Sequence, residues 1–104
     1  LFATDSDRLR TESAPVLREI ADMLAAHPAL RLSIEGHTDD VGSAAANQTL
    51  SARRAEAVRA CLVAEYGVAA DRLTAQGFGA TKPVAGNADE AGRQKNRRVE
   101  LVRR

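Results

Sequence analysis

Arg54 is a charge at a position that helical spacing assigns to an apolar residue. It falls four residues after Leu50 and four before Val58, in a stretch from Ala44 to Tyr66 whose Leu50, Val58, Cys61 and Leu62 recur on one face. Asn47 lies two turns earlier on that face. A guanidinium is seldom buried without an anionic partner, so the spacing calls for an anion opposite Arg54. The nearest upstream acidic cluster is the tight loop Gly36-His37-Thr38-Asp39-Asp40-Val41-Gly42. Two arrangements satisfy the demand: an internal Asp39–Arg54 ion pair that orders the loop, or a ligand whose charged groups sit between the two side chains.

Other reactive residue types carry less. His27 and His37 are the only histidines, Cys61 is the only cysteine, and no metal-ligand spacing joins them. Asp39 and Asp40 are adjacent and point apart in extended chain, a poor general acid/base pair, and no serine or cysteine nucleophile has a base nearby. His37 is expected to line the loop or pack over a strand end, and His27 to cap a helix end. Cys61, beside Val58 and Leu62, reads as a buried, inert thiol. Gly77-Phe78-Gly79-Ala80-Thr81-Lys82 lacks the spacing and following helix of a phosphate loop, and Phe78 reads as a wedge between loop and core.

The chain has 104 residues, 44% apolar and 28% charged, with 15 basic against 14 acidic side chains and a formal charge of +1. This is the profile of one folded domain with one core. The charge is too balanced to imply a polyanion partner by field alone. With Phe2, Phe78 and Tyr66 as the only aromatics, there is no stacking platform for single-stranded nucleic acid. The basic residues Lys95, Arg97, Arg98, Arg103 and Arg104 are split across strand faces. No apolar run approaches the ~18 residues of a membrane-spanning helix. The chain opens at Leu1 in what reads as the stub of a strand, so 1–104 is expected to be a single domain excised from a larger protein.

The elements that must position Arg54 follow from pattern. Leu1-Phe2-Ala3 reads as a strand stub. Leu9, Val16, Leu17, Ile20, Met23 and Leu24 give a first helix, with Thr11 or Ser13 as cap, Pro15 in the first turn and His27-Pro28 as stop. Leu30 to Glu35 alternates as a half-buried strand, with Arg31, Ser33 and Glu35 outward. The long helix ends at Gly67 in a left-handed cap. Arg72 to Gln76 is a short strand. Residues 84–96 read as a loop with a helical turn near Asp89 to Arg93. Arg97 to Val102 closes the fold as a strand in which Arg97 shares a face with Val99 and Leu101 by parity. The order predicts an α/β (α+β) two-layer sandwich, a sheet with helices on one face; strand polarity stays open.

The series Gly36-His37-Thr38-Asp39, Gly42, Asn47, Leu50-Ser51, Arg54-Ala55, Gly77-Phe78-Gly79, Pro83, Asn87, Gly92-Arg93 and Asn96-Arg97-Arg98-Val99-Glu100 resembles the OmpA-like peptidoglycan-binding domain, over essentially the whole chain. The resemblance implies a mixed sheet in β/α/β/α/β-β order. It implies non-covalent binding of the cell-wall peptide stem through meso-diaminopimelate, with no catalysis, cofactor or metal. It places the family's key aspartate on Asp39, its helix arginine on Arg54, its asparagine on Asn47 and the final-strand arginine on Arg97. Asp5 matches a further contacting position less specifically. Val41 stands where relatives often carry a hydroxyl, which leaves it backbone contacts. The setting implied is the periplasm, against the wall and the outer membrane. The parent protein would be membrane-anchored, while the domain itself touches neither membrane nor nucleic acid. The competing readings are a protein–protein interaction domain of the same fold and a stator-type tether controlled by homodimerisation.

The distal end of meso-diaminopimelate carries an ammonium and a carboxylate on one carbon. Asp39 can accept from the first, and the planar fork of Arg54 can grip the second. Asn47 can bridge, and turn N–H groups can add donors. Lysine keeps the ammonium and loses the carboxylate, so the same site discriminates by wall chemistry.

Overall fold

The computed structural model describes residues 14–104; the expected first strand, the caps Thr11 and Ser13, and Leu9 lie outside them. The described elements are helix α1 (Ala14–Ala26), strand β1 (Leu32–His37), helix α2 (Ala44–Tyr66), a single helical turn at Ala70–Arg72, strand β2 (Leu73–Gly77), helix α3 (Glu90–Asn96) and strand β3 (Arg98–Arg103). The sheet order is β2-β1-β3. β1 runs parallel to β2 and antiparallel to β3, which resolves the polarity that pattern leaves open and makes the sheet mixed.

Register sorts the side chains. Leu32, Ile34 and Gly36 lie beside Leu73, Ala75 and Gly77 on one flank and beside Arg103, Leu101 and Val99 on the other. The apolar members of this face meet Leu17, Ile20 and Leu24 of α1 and Ala55, Val58 and Leu62 of α2 in one core. Val16 and Met23, expected inward, are exposed: the buried stripe of α1 is one side chain wide and they fall on its flanks. Ser33, expected outward, is buried, because β1 is the middle strand and Thr74 and Val102 flank Ser33 on both sides. Cys61 is half-buried rather than buried. Its thiol donates to Glu65 Oε2 at 3.6 Å, and burial together with the Glu65 charge pushes its pKa up.

α2 begins at Ser43, whose side chain accepts from Ala46 N–H at 3.0 Å, and ends at Gly67 in the left-handed region (φ 70°). Its buried face is polar in the first half (Asn47, Ser51, Arg54) and apolar in the second (Ala55, Val58, Leu62). The polar half lies against the ends of β1 and β2, where both strands carry glycine. A Cβ on Gly36 would overlap the Ser51 carbonyl and stand 2.9 Å from its carbon; one on Gly77 would stand 2.7 Å from Ala52 Cα. Side chains then stitch the contact. Gln48 Nε2 donates to Gly77 O (2.5 Å), and Gly79 N–H donates to Ser51 Oγ (2.9 Å).

α1 is capped at its C-terminus by Arg72, whose Nη2 donates to Leu24 O and His27 O at 2.8 Å each. α3 is longer than the expected turn. Asp89 caps it, accepting from Gly92 N–H at 2.7 Å. Asn96, fully buried at its end, binds the preceding loop: Oδ1 accepts from Val84 and Ala85 N–H (2.8 and 3.0 Å), and Nδ2 donates to Ala85 O and Asn87 Oδ1 (2.9 and 2.7 Å).

On the opposite sheet face, His37 is 2% exposed and stacks on Phe78 at 5.4 Å between centroids. Phe78 thus packs over the strand end rather than into the core, with Lys82 Nζ 3.9 Å from its ring centre. Glu100 Oε2 lies 3.3 Å from His37 Nε2 but off the hydrogen-bonding direction, so neither ring nitrogen is hydrogen-bonded. Burial, then the Arg98 charge, hold the His37 pKa below its ordinary 6.5 against the pull of Glu100 and Glu35.

Two outcomes follow from this packing. Gly36→Ala forces α2 off the sheet and lowers stability by about 3 kcal/mol in urea unfolding; an unchanged midpoint would contradict the backbone contact. His37 has a lower pKa folded than unfolded, so as pH falls through 6.5 the unfolded chain takes up the proton more readily than the folded chain. Wild-type stability therefore falls relative to His37→Phe as pH drops from 7.5 to 5, and parallel curves would show that His37 does not resist protonation.

Candidate functional site

α2 leaves Arg54 at the point where its buried face turns from polar to apolar, 6% exposed. The loop that follows β1 returns past it. Thr38 N–H donates to Gly79 O at 2.8 Å, and Thr38 Oγ1 donates to Asp39 O at 2.8 Å. Asp39 is 7% exposed. Its Oδ1 accepts from Val41 N–H at 3.1 Å, closing a tight turn that Gly42 (φ 87°) completes. Asn47, 8% exposed, donates through Nδ2 to Asp39 O (3.3 Å) and Val41 O (3.0 Å). Its amide protons hold the loop rather than projecting into open space, and Val41 N–H is likewise turned onto Asp39.

Between these residues lies a cleft of about 360 Å³ lined by Thr38, Asp39, Val41, Asn47, Leu50, Arg54, Glu90, Arg93 and Arg97. Five of the six residues singled out from sequence share it: Asp39, Arg54, Asn47, Val41 and Arg97. The sixth, Asp5, lies outside the described residues. Val41 is 63% exposed, with its side chain at the rim.

Asp39 makes an ion pair with Arg97, an arrangement the spacing did not bring forward: Arg97 Nη1 donates to Asp39 Oδ2 at 2.6 Å. Nη2 of the same guanidinium donates to Glu90 Oε1. Glu90 in turn accepts from Arg93 Nε at 3.2 Å, and Arg93 Nη1 donates to Asn87 O at 3.0 Å. Glu90 first, then Asp39, stabilise the charged form of Arg97, and hydrogen bonds from Arg97 and then Arg93 hold the Glu90 carboxyl below its usual range. Arg97 is not a strand residue. It caps α3 (φ −79°, ψ 89°), with its N–H donating to Arg93 O at 3.1 Å, and β3 starts one residue later. It reaches the side of the sheet that α2 covers, as parity suggested, but from a helix end.

Glu90 and Arg93 were not foreseen as lining residues. Their signal was present: Glu90, Arg93 and Arg97 are spaced i, i+3 and i+7, one helical face. The cleft thus offers one deeply placed carboxylate, three arginines of different depth and a rim carboxylate. That set suits a small zwitterion. Among the described residues, no group of three or more His, Cys, Asp or Glu side chains is arranged to hold a metal ion.

Relatives share this sequence over nearly its full length. Outer membrane porin F of Pseudomonas aeruginosa is 46% identical over 99 residues, 95% of this chain and 28% of the porin. Peptidoglycan-binding protein ArfA of Mycobacterium tuberculosis is 45% identical over 101 residues, 97% of this chain and 31% of that protein. The chain thus spans about three tenths of the length of these curated relatives. Among solved structures, the peptidoglycan-associated lipoprotein from Burkholderia pseudomallei superposes with a TM-score of 0.91 at 37% identity, covering 99% of this chain and 86% of the lipoprotein. The OmpA family pattern matches residues 1–97, and with the mixed sheet, the helix-borne Arg54 and the Asp39 loop in place, the chain belongs to the OmpA family.

Proposed function

We propose that the cleft binds the distal amino-acid head of a diaminopimelate residue in a peptidoglycan stem, and so holds a larger envelope protein to the wall without covalent attachment or catalysis. The observation that carries this is the placement of Asp39 and Arg54 in one cleft, both nearly buried and of opposite charge. Asp39 receives the ligand ammonium and Arg54 its carboxylate. Arg97 adds positive charge at the mouth, Asn47 fixes the loop that carries Asp39, and Val41 contributes its backbone turn and a rim contact. Asp5 is assigned a supporting contact on the family resemblance alone. The names of two relatives, a peptidoglycan-binding protein and a peptidoglycan-associated lipoprotein, support the ligand class.

This reading puts the domain in the periplasm, facing the wall. A single stem is bound modestly, and many tethers acting together give avidity. The test is a sacculus pull-down with wild type, Asp39→Ala and Arg54→Ala, each checked for folding by circular dichroism. Wild type is retained on diaminopimelate-type walls. Each variant loses about 30-fold or more in affinity, the cost of leaving one charge of a desolvated pair unmatched. Free meso-diaminopimelate raises the melting temperature more than lysine does. Equal retention of all three proteins would overturn the assignment.

A further inference from the structure

The Arg97 guanidinium bridges two carboxylates of unequal depth. Side-chain exposure rises from 10% at Asp39 through 30% at Arg97 to 63% at Glu90, so the three charges form a chain from the floor of the cleft to its rim. The two oxygens of Asp39 are not equivalent. Oδ1 holds the backbone turn through Val41 N–H and is needed for the loop to keep its shape. Oδ2 is held by Nη1 of Arg97, a side chain with a second acceptor already in hand. A cation that comes to Asp39 therefore competes with Arg97 for the charge at Oδ2.

We infer that Arg97 occupies the ligand's ammonium subsite as an internal stand-in, and that Glu90 is the positioning residue that receives Arg97 when the ligand's ammonium displaces it. This rests on the diaminopimelate reading above and adds to it a residue and a sequence of contacts. Two cations crowded on one buried carboxylate repel each other. Arg97 relieves that repulsion by moving outward onto Glu90, where it remains paired in a more solvated place. Arg93 keeps Glu90 in position for the exchange, since its Nε donates to Oε2 while Oε1 takes Arg97. The device sharpens selectivity. A ligand that offers only a carboxylate leaves Arg97 on Asp39 and gains the Arg54 contact alone.

The test uses two stem tripeptides: one ending in meso-diaminopimelate, and the same tripeptide with hydrogen in place of the distal ammonium. Titration calorimetry gives a Kd for each, and their ratio isolates the ammonium. Glu90→Gln removes the receiving charge, tightens the hold of Arg97 on Asp39 and lowers the ratio about fivefold, the scale of one partly exposed ion pair. Arg97→Gln removes the competitor and raises the ratio, whatever it does to affinity for the carboxylate. In the double variant Glu90→Gln no longer matters, and the ratio equals that of Arg97→Gln alone. Glu90→Gln weakening both tripeptides equally would mark a merely structural role and overturn the inference; so would a lower ratio in Arg97→Gln. A wild-type protein that binds both tripeptides alike would instead sink the diaminopimelate reading itself, and this inference with it. Glu90 is exposed at the start of α3, so Glu90→Gln is expected to keep the wild-type circular dichroism spectrum and melting behaviour.

Discussion

The site depends on how closely the first half of α2 lies on the sheet. At Gly36 and Gly77 there is no side chain between helix backbone and strand backbone. That contact brings Ser51 within reach of Gly79 N–H and Gln48 within reach of Gly77 O, which fastens the loop after β2 to the helix, while Asn47 fastens the loop after β1 to the same helix. The loop after β1 carries Asp39 and the helix carries Arg54. A thicker interface would separate them, and no change in the charged residues themselves would bring them back together. Packing at two small residues thereby sets an electrostatic distance. The physical link runs from strand-end glycines, through helix approach, to the juxtaposition of opposite charges.

Charge within the cleft is arranged by depth. Arg54 and Asp39 are nearly removed from water, while Glu90 and Arg93 lie towards the solvent, where ion pairs contribute little to stability. The weak outer pairs are useful because they are weak: they orient groups without locking them. Asn96 supports this outer half differently, with four hydrogen bonds from a fully buried amide that bind the 84–87 segment to the end of α3. The floor of the cleft is therefore set by sheet and helix packing, and the wall by one buried amide.

Much of the inner half was readable in the sequence. The bounds of α2 follow from a long periodic stretch and from Gly67, which sits in the left-handed region as a cap requires. Arg54 announced itself as a charge out of place. The outer half was not readable by the same means. Residues 84–96 have little apolar periodicity, and the turn expected near Asp89 to Arg93 stops short of the end of α3 at Asn96. In the fold Gly92 lies inside α3 because the carbonyl of Gly86 packs where its Cβ would stand. Only that contact fixes the full length of α3, which puts Arg97 at a helix end and Glu90, Arg93 and Arg97 on a shared face. The Asp39–Arg97 pair was unreadable for a related reason: the two residues lie 58 positions apart along the chain, and no local spacing links them. Val16 and Met23 show the limit of periodicity alone, since helical spacing marks a face but not its width.

The setting of Cys61 bears on the reactivity of the one thiol in the chain. Disulfide exchange needs the thiolate, and burial with the neighbouring Glu65 carboxylate pushes the Cys61 thiol pKa up, against the thiolate. A lone thiol of ordinary acidity would be open to mixed disulfides and covalent cross-linking between copies wherever oxidants are present. Here the sulfur sits on a helix flank with its proton directed at a carboxylate, so the nucleophile is scarce. Burial and a neighbour one turn further on thus lower the thiolate fraction of Cys61.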